Sequence, residues 1–550
     1  MAYFPFDRGS TVFFRRKSMH IRFVIVLLAL FCCTNSAVAW QNESTLRPVF
    51  DESFDHWPVE LKINGRIILN RGLEESEPVD RLLRRITKDE KVVLFSPEKD
   101  DLGSRLESLS EEDDCETPDC ETAALETALE NSDTIYLAAN CFSAKELVKL
   151  KDPFKTFIER GGNLLADASL GEVFGSVHSD NVPGLNLIPD CYINSSFDDT
   201  ETSKQQLIER ISKVDPTVGI GIEPDTMLIF SGRRIFSLGD GSSTLAIRGS
   251  ELVPATFQKI GAQRSGQQRS TADLTQWRRM AIDRSLPPFP VEKPKSPFVE
   301  KGSLFIIGGG GMPKGLMKQM IEAAGGTEKA KIVCIPCSES DEVGRRQSMV
   351  RMWKRFGVEN VTFLHTKDRN KANSDDAFLE PLKDATLLWF GGGRQWNFAD
   401  SYYGTEAHKL MKEVLHRGGV IGGSSAGASI QGRFLARATP IGNSNILAPG
   451  YERGGLGFLS GVAIDQHFSQ RRRQKDMTGL VEKYPQLLGI GLDETTAIIV
   501  QKSRAEVVGP GKVYFYDRSK PTEEGKPDYT ALPEGGVYDL LKREVIDLSK

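Results

Sequence analysis

From about residue 60 onward, short apolar runs alternate with longer segments whose apolar residues recur every three or four positions. These are the periods of a buried strand and of an amphipathic helix. Residues 304–307 (Leu-Phe-Ile-Ile) predict a strand, followed by Gly308 to Gly311 and a helix through Met317, Met320 and Ile321. Residues 331–336 predict the next strand, and a helix carrying Met349, Trp353 and Phe356 follows. Further strands are expected at 361–364, 386–390 and 420–421. Strand and helix in strict alternation predict an α/β fold of three-layer α/β/α units with mostly parallel sheets covered on both faces.

The pattern breaks at 285–302, where Pro287, Pro288, Pro290, Pro294 and Pro297 predict an extended linker. The segment before it repeats the segment after it. Residues 158–165 (I-E-R-G-G-N-L-L) align with 415–422 (L-H-R-G-G-V-I-G), 184–197 with 455–468, and 219–222 (G-I-G-I) with 489–492 (G-I-G-L). Residues 133–137 align with 385–389 in the same order. The chain is therefore expected to hold two tandem copies of one domain, 40–284 and 303–550, packed as an intrachain pseudo-dimer.

The first 39 residues follow a different rule. Arg15, Arg16, Lys17 and Arg22 precede the apolar run 23–31, and Ala37-Val38-Ala39 supplies a small-residue cleavage site. That order predicts a secretory signal peptide; the run is short of the ~20 residues a spanning helix needs, so no stable membrane insertion is expected after cleavage. The address is secreted or periplasmic. Export permits disulfides, and Cys115 and Cys120 flank a polar loop where a bridge is expected. Cys334-Ile335-Pro336-Cys337 reads as a strand ending in a turn, and no paired C-x-x-C or H-E-x-x-H pattern calls for a metal; no cofactor is expected. A net charge of -5 with 26% charged residues gives no basic stripe, which excludes nucleic acid as a partner. The acidic run 107–121 is read as a solvated surface insertion.

Candidate chemistry lies in the second copy. Gly423-Ser424-Ser425-Ala426-Gly427 follows the short strand at Val420-Ile421 and fits the G-x-S-x-G strand-to-helix elbow, which lifts its middle serine clear of the sheet. Ser425 is the expected nucleophile. A serine hydroxyl needs a neighbouring base, and His467, at the end of the apolar strand 461–466, is the best placed histidine. His365, His408 and His416 read as surface or helix residues. The first copy places Ala168 opposite Ser425, Ser196 opposite His467, and Leu165 and Ala166 opposite Gly422 and Gly423. It cannot run nucleophilic catalysis.

Four motifs carry a family resemblance over residues 303–516: Phe390-Gly391-Gly392-Gly393-Arg394-Gln395, Gly422-Gly423-Ser424-Ser425-Ala426-Gly427-Ala428, Asp465-Gln466-His467-Phe468 and Gly489-Ile490-Gly491-Leu492-Asp493-Glu494. The segment resembles a cyanophycinase of the S51 serine peptidase family. The resemblance implies a class I glutamine amidotransferase-like fold, a serine nucleophile at Ser425 with His467 as base, and oxyanion donors at Gly392, Gly393 and Ala426. It also implies substrate positioning by Gln395, with Asp465 and Gln466 in the substrate site and Arg471 and Arg473 holding substrate carboxylates. The family's glutamate between serine and histidine falls at Asn443, with Glu452 as a nearby substitute, and its third arginine falls at Asp476. The implied partner is an aspartate-containing peptide or a cyanophycin-like polymer, cleaved beside aspartate. The departures at Asn443 and Asp476 leave two other readings open: a catalytically impaired S51-fold protein that binds peptide or polymer, and an esterase or amidase of other specificity.

Overall fold

The computed structural model describes residues 57–548 apart from 59, 73–75, 98–99, 112–113, 179–181, 215, 252, 262–269 and 443–444. The expected signal segment lies outside the described residues.

The C-terminal half is built on a nine-stranded sheet. Five strands run parallel in the order Val361–Phe363, Ile332–Ile335, Leu387–Phe390, Val420–Ser424, Val299–Ile307. Alternate residues of these strands bury into separate cores on the two faces. Phe305, Ile307, Leu387 and Trp389 pack with the helix Leu316–Ala323, while Leu304, Ile306, Leu388 and Phe390 pack with the helix Glu406–His416. Beyond Val299–Ile307 the sheet continues antiparallel through Ala497–Lys502, Arg504–Val508, Val537–Asp539 and Glu544–Val545. A second sheet holds Gly432–Phe434, Leu459–Gln466, Leu488–Leu492, Val513–Asp517 and Thr530–Leu532.

The N-terminal half repeats this order in a sheet of eight strands. Cys115–Glu116, Val92–Phe95, Thr134–Leu137, Asn163–Asp167 and Arg66–Arg71 are parallel. Thr226–Ser231, Arg234–Gly239 and Ala272–Asp273 follow antiparallel. Its smaller sheet holds Cys191–Asn194, Val218–Ile222, Ser242–Ile247 and Thr256–Gly261. Registers coincide as well: Arg66 pairs with Asn163 where Ser303 pairs with Val420. Asn194 pairs with Gly221 where Asp465 pairs with Gly491. In both halves that second glycine makes room for an aromatic ring, Phe197 beneath Gly221 and Phe468 beneath Gly491.

The fold is the α/β class that the alternation predicts, with two refinements. Each large sheet is parallel only in one part, because the later strands return through tight turns that join antiparallel neighbours directly. The alignment of 133–137 with 385–389 slips by one residue. Asp133 and Thr134 donate to Lys91 O as Thr386 and Leu387 donate to Lys331 O, so Leu137 stands opposite Phe390.

Cys120 pairs with Cys141, at a Cα separation of 5.6 Å, and Cys115 is not part of the bridge. Cys334 and Cys337 are not bonded to each other, and burial pushes both thiols up to about 12. The strand Val299–Ile307 begins inside the proline-rich stretch, and residues 289–291 of that stretch lie against the C-terminal half. Phe289 stacks on Phe434 at 6.1 Å, and Gln486 Nε2 donates to Pro290 O and Val291 O at 3.3 Å. No helix among the described residues is long and apolar enough to cross a membrane.

Candidate active site

The strand Val420–Ser424 runs straight into the one-turn helix Ala426–Ser429, and Ser425 between them has φ 56° and ψ -113°. A non-glycine residue with that backbone is strained, and the surrounding glycines show how it is held. A Cβ on Gly423 would overlap the Gly427 carbonyl, and one on Gly427 would overlap the Phe390 carbonyl. The Ser425 amide donates to Ile307 O at 3.0 Å, which ties the turn to the central strand.

His467 follows the strand Leu459–Gln466, itself with φ 51°, and its amide donates to Gly308 O at 2.8 Å. Its Nε2 lies 2.9 Å from Ser425 Oγ, and its Nδ1 lies 2.6 Å from Glu494 Oε1. A carboxylate can only accept, so Glu494 assigns the imidazole proton to Nδ1 and leaves Nε2 to receive the serine proton. Burial holds the His467 pKa below its ordinary 6.5; Glu494 opposes that shift and the Arg471 charge reinforces it. The imidazole is therefore neutral at pH 7, the state a general base requires.

Glu494 is the acid of this trio. The described residues at the histidine give no place to Glu452, which sits in the short helix Glu452–Gly454, where burial and the Asp283 carboxylate push its pKa up to about 8. Asn443 lies outside the described residues, and the Nδ1 partner it was expected to supply is Glu494. The sequence signal was present in Gly489-Ile490-Gly491-Leu492-Asp493-Glu494: the residues just past a parallel strand's C-terminal end face the crevice where the elbow also opens. The glycine loop 308–311 closes over the pair. A Cβ on Gly309 (φ +95°) would overlap the His467 ring, and one on Gly310 would lie 2.6 Å from Glu494 Cβ.

The loop 391–393 crosses above the serine: a Cβ on Gly392 would lie 3.4 Å from Ser425 Cβ, and Gly393 (φ +155°) backs onto Cys337. Gly392 and Ala426 thus border Ser425, while Gly393 packs on Cys337. A helix of one turn has little dipole, so any oxyanion stabilisation there comes from individual amides.

The residues expected to touch substrate divide sharply. Gln395 is buried, and its Nε2 donates to Ala436 O at 2.7 Å and Arg437 O at 2.9 Å, so this amide pins the loop to the next segment. Asp465 is fully buried between two guanidinium groups, Arg437 Nε at 2.7 Å and Arg473 Nη1 at 2.8 Å. Its assignment to substrate is corrected by this pairing: it is the counter-ion of both arginines. Arg473 also donates to Gln466 O at 2.7 Å, which makes it a buried strut of the histidine strand instead of a carboxylate clamp. Gln466 is buried, and its amide donates to Asp465 Oδ1 at 3.0 Å. Arg471 alone of the pair is exposed, beside His467. Asp476 pairs with Arg437 Nη2, so its charge is answered within the protein and an arginine there would face Arg437.

At the corresponding strand ends of the N-terminal half stand Ala168 after Asn163–Asp167, Ser196 after Cys191–Asn194, and, three residues past Gly221 as Glu494 is past Gly491, Pro224. Arg71, at the position corresponding to Gly308, bonds across these strand ends: its Nη1 donates to Phe197 O at 2.6 Å and to Ile222 O.

A Ser–His–Glu relay on a strained strand-to-helix turn is the constellation of a serine-type hydrolase. The profile of peptidase family S51 matches residues 304–508. The cyanophycinase of Synechococcus elongatus is 30% identical over 228 residues, which cover 40% of this chain and 68% of that protein. The cyanophycinase of Geminocystis herdmanii is 28% identical over 222 residues, 40% of this chain and 81% of the relative. A crystal structure of a peptidase from an acI-B1 Actinobacterium aligns at 23% identity and a TM-score of 0.34, covering 44% of this chain and 98% of that one. The chain belongs to peptidase family S51 and is cyanophycinase-like.

Proposed function

We propose that the protein is an exported serine peptidase that hydrolyses a peptide or isopeptide bond next to aspartate through an acyl-enzyme at Ser425. The observation that carries this reading is the unbroken line from Ser425 Oγ through His467 to Glu494. His467 Nε2 takes the Ser425 proton as Oγ attacks the carbonyl carbon. The developing oxyanion faces the amides around Gly392, Gly393 and Ala426, where each donor lowers the barrier by about 3 to 4 kcal/mol in enzymes where such donors have been tested. Collapse of the intermediate passes the proton from His467 to the leaving amine. A water then attacks the ester, giving its proton to Nε2, and release of the carboxylic acid returns that proton to Oγ.

The specificity is supported by the kinship with cyanophycinases and by Arg471, the one exposed cation of the expected clamp and a fitting partner for a substrate carboxylate. The binding-protein reading loses its two supports, since Glu494 supplies an acid and Arg437 answers Asp476. The shared strand order and register of the halves support an internal duplication, and the pattern of residues 1–39 supports export. The test is a fluorophosphonate that labels serine hydrolases, mapped by peptide mass spectrometry, with hydrolysis assays on cyanophycin, β-aspartyl and α-aspartyl dipeptides. Labelling at Ser425 with cleavage of one aspartyl class is expected; absence of labelling, or turnover of simple esters alone, rejects the reading.

A further inference from the structure

At the positions corresponding to Ser425, His467 and Glu494 the N-terminal half holds Ala168, Ser196 and Pro224, yet it meets the C-terminal half at the helix that follows the loop 391–393. That helix, Trp396–Tyr402, has Gln395 as its N-cap residue. Arg233, in the turn between the strands Thr226–Ser231 and Arg234–Gly239, reaches across to it. Arg233 Nη1 donates to Asp400 Oδ2 at 2.7 Å, Nη2 donates to Tyr451 OH at 2.6 Å, and the guanidinium lies 4.3 Å above the Trp396 ring. Its orientation is fixed from its own side by Asp273, whose Oδ1 takes Nη2 at 2.9 Å and whose other oxygen takes Nε. Arg279, on the N-terminal half's helix Leu274–Asp283, adds a second bond to Asp400 Oδ1 at 3.2 Å, and Tyr451 OH donates to the same carboxylate at 3.0 and 3.1 Å.

These contacts hold the first and the fifth residue of one seven-residue helix. Trp396 is its first residue and is directly bonded to Gln395, so sideways movement of the indole moves the glycines that cross above Ser425. Burial alone would raise the Asp400 carboxyl, yet Arg233 and Arg279 hold it below its ordinary 3.8, so both partners are charged. A buried, fully paired charge with several fixed donors favours one geometry over nearby ones, which is what an oxyanion-donating loop needs.

We propose that Arg233 is a positioning residue for the active-site loop 391–393, acting through Trp396 and Asp400, and that the N-terminal half has kept this task while losing its own chemistry. The proposal rests on the reading of Ser425 as nucleophile and of the loop as an oxyanion donor. Full-length protein carrying Arg233→Ala, Arg233→Lys, Asp400→Asn or Gln276→Ala is compared with the unaltered chain. Gln276 Nε2 donates to Pro449 O at 2.9 Å across the same interface without touching the helix, and so reports on generic weakening. The readouts are kcat and KM on a β-aspartyl dipeptide, the rate of fluorophosphonate labelling, the pH of the acid limb and the thermal midpoint.

Arg233→Ala is expected to lower kcat and the labelling rate by roughly 10²-fold, the scale of an ångström's misplacement, with KM within about twofold and the acid limb unmoved. Arg233→Lys should fall between, because a lysine keeps the charge but not the fork, and Gln276→Ala should match the unaltered chain. A folded Arg233→Ala variant with kcat and labelling within about twofold of the unaltered chain overturns the proposal. So does an equal loss in Gln276→Ala. Should Arg233→Ala not fold, Asp400→Asn decides: a folded variant at full rate also overturns it. Failure of the unaltered chain to label at Ser425 is a separate result, which rejects the parent reading and the proposal with it.

Discussion

Two crevices at the C-terminal ends of two sheets share a strand order and a register, and differ at the three strand-end positions that would carry chemistry. Ser425, His467 and Glu494 converge in one; Ala168, Ser196 and Pro224 stand in the other. The packing around them separates the crevices further. The first has Gly309 and Gly310 beside the imidazole and carboxylate, where a side chain would collide, whereas the second has Arg71 bonded to two carbonyls. The scaffold therefore sets where chemistry can occur, and a few residues at strand ends decide whether it does.

Six substitutions would break or sharpen that contrast. Ser425→Ala should lower kcat by roughly 10⁶-fold, the loss seen on removing a triad nucleophile, while Ala168→Ser should gain neither turnover nor phosphonate label. Turnover by the Ala168→Ser chain when Ser425 is also replaced would show the second crevice to be competent. Glu494→Gln should cost about 10⁴-fold in kcat, because an amide can donate to Nδ1 and so stabilise the wrong tautomer; a loss under tenfold would remove Glu494 from the relay.

Gly309→Ala should lower kcat by roughly 10²-fold or more, since the new methyl displaces His467. Its counterpart Gly72→Ala, where the nearest atom is Asp225 Oδ1 at 3.5 Å, should cost only the ~1 to 2 kcal/mol of a left-handed backbone and leave kcat unchanged. Thermal midpoints and kcat measured together distinguish the pair. Arg471→Ala moves the pH profile with a definite sign. The base is the neutral imidazole, so kcat/KM falls as pH drops through the His467 pKa. Removing a cation that holds this pKa down lets it rise, and the acid limb moves to higher pH. A limb that stays put or moves to lower pH would place Arg471 too far from the imidazole to matter.

Much of this was legible in the residues. The elbow glycines are needed for close backbone contacts, so G-x-S-x-G pointed to its own conformation, and the duplicated glycine and phenylalanine pairs pointed to a repeated sheet. Three features were hidden for physical reasons. Glu494 sits 27 residues beyond His467, and only the parallel pairing of Leu459–Gln466 with Leu488–Leu492 brings the two strand ends together. Asp465 entered the substrate site through the motif Asp465-Gln466-His467-Phe468, but it is fully buried and paired with Arg437 and Arg473, which lie 28 residues before and 8 after it and are brought together only by the fold. The bridge from Cys120 to Cys141 spans 21 residues and follows from where the strand Thr134–Leu137 ends, which spacing alone does not reveal.

The stretch joining the halves lies along the C-terminal half, with Phe289 stacked on Phe434 and Pro290 and Val291 held by Gln486. A partner attached in this way never has to be found by diffusion: its effective concentration is fixed by the tether, on the order of millimolar, however dilute the protein becomes. Assembly of the inter-half contact is thus a first-order event. Specific activity should hold constant on dilution, under which separate subunits meeting through the same surfaces would drift apart.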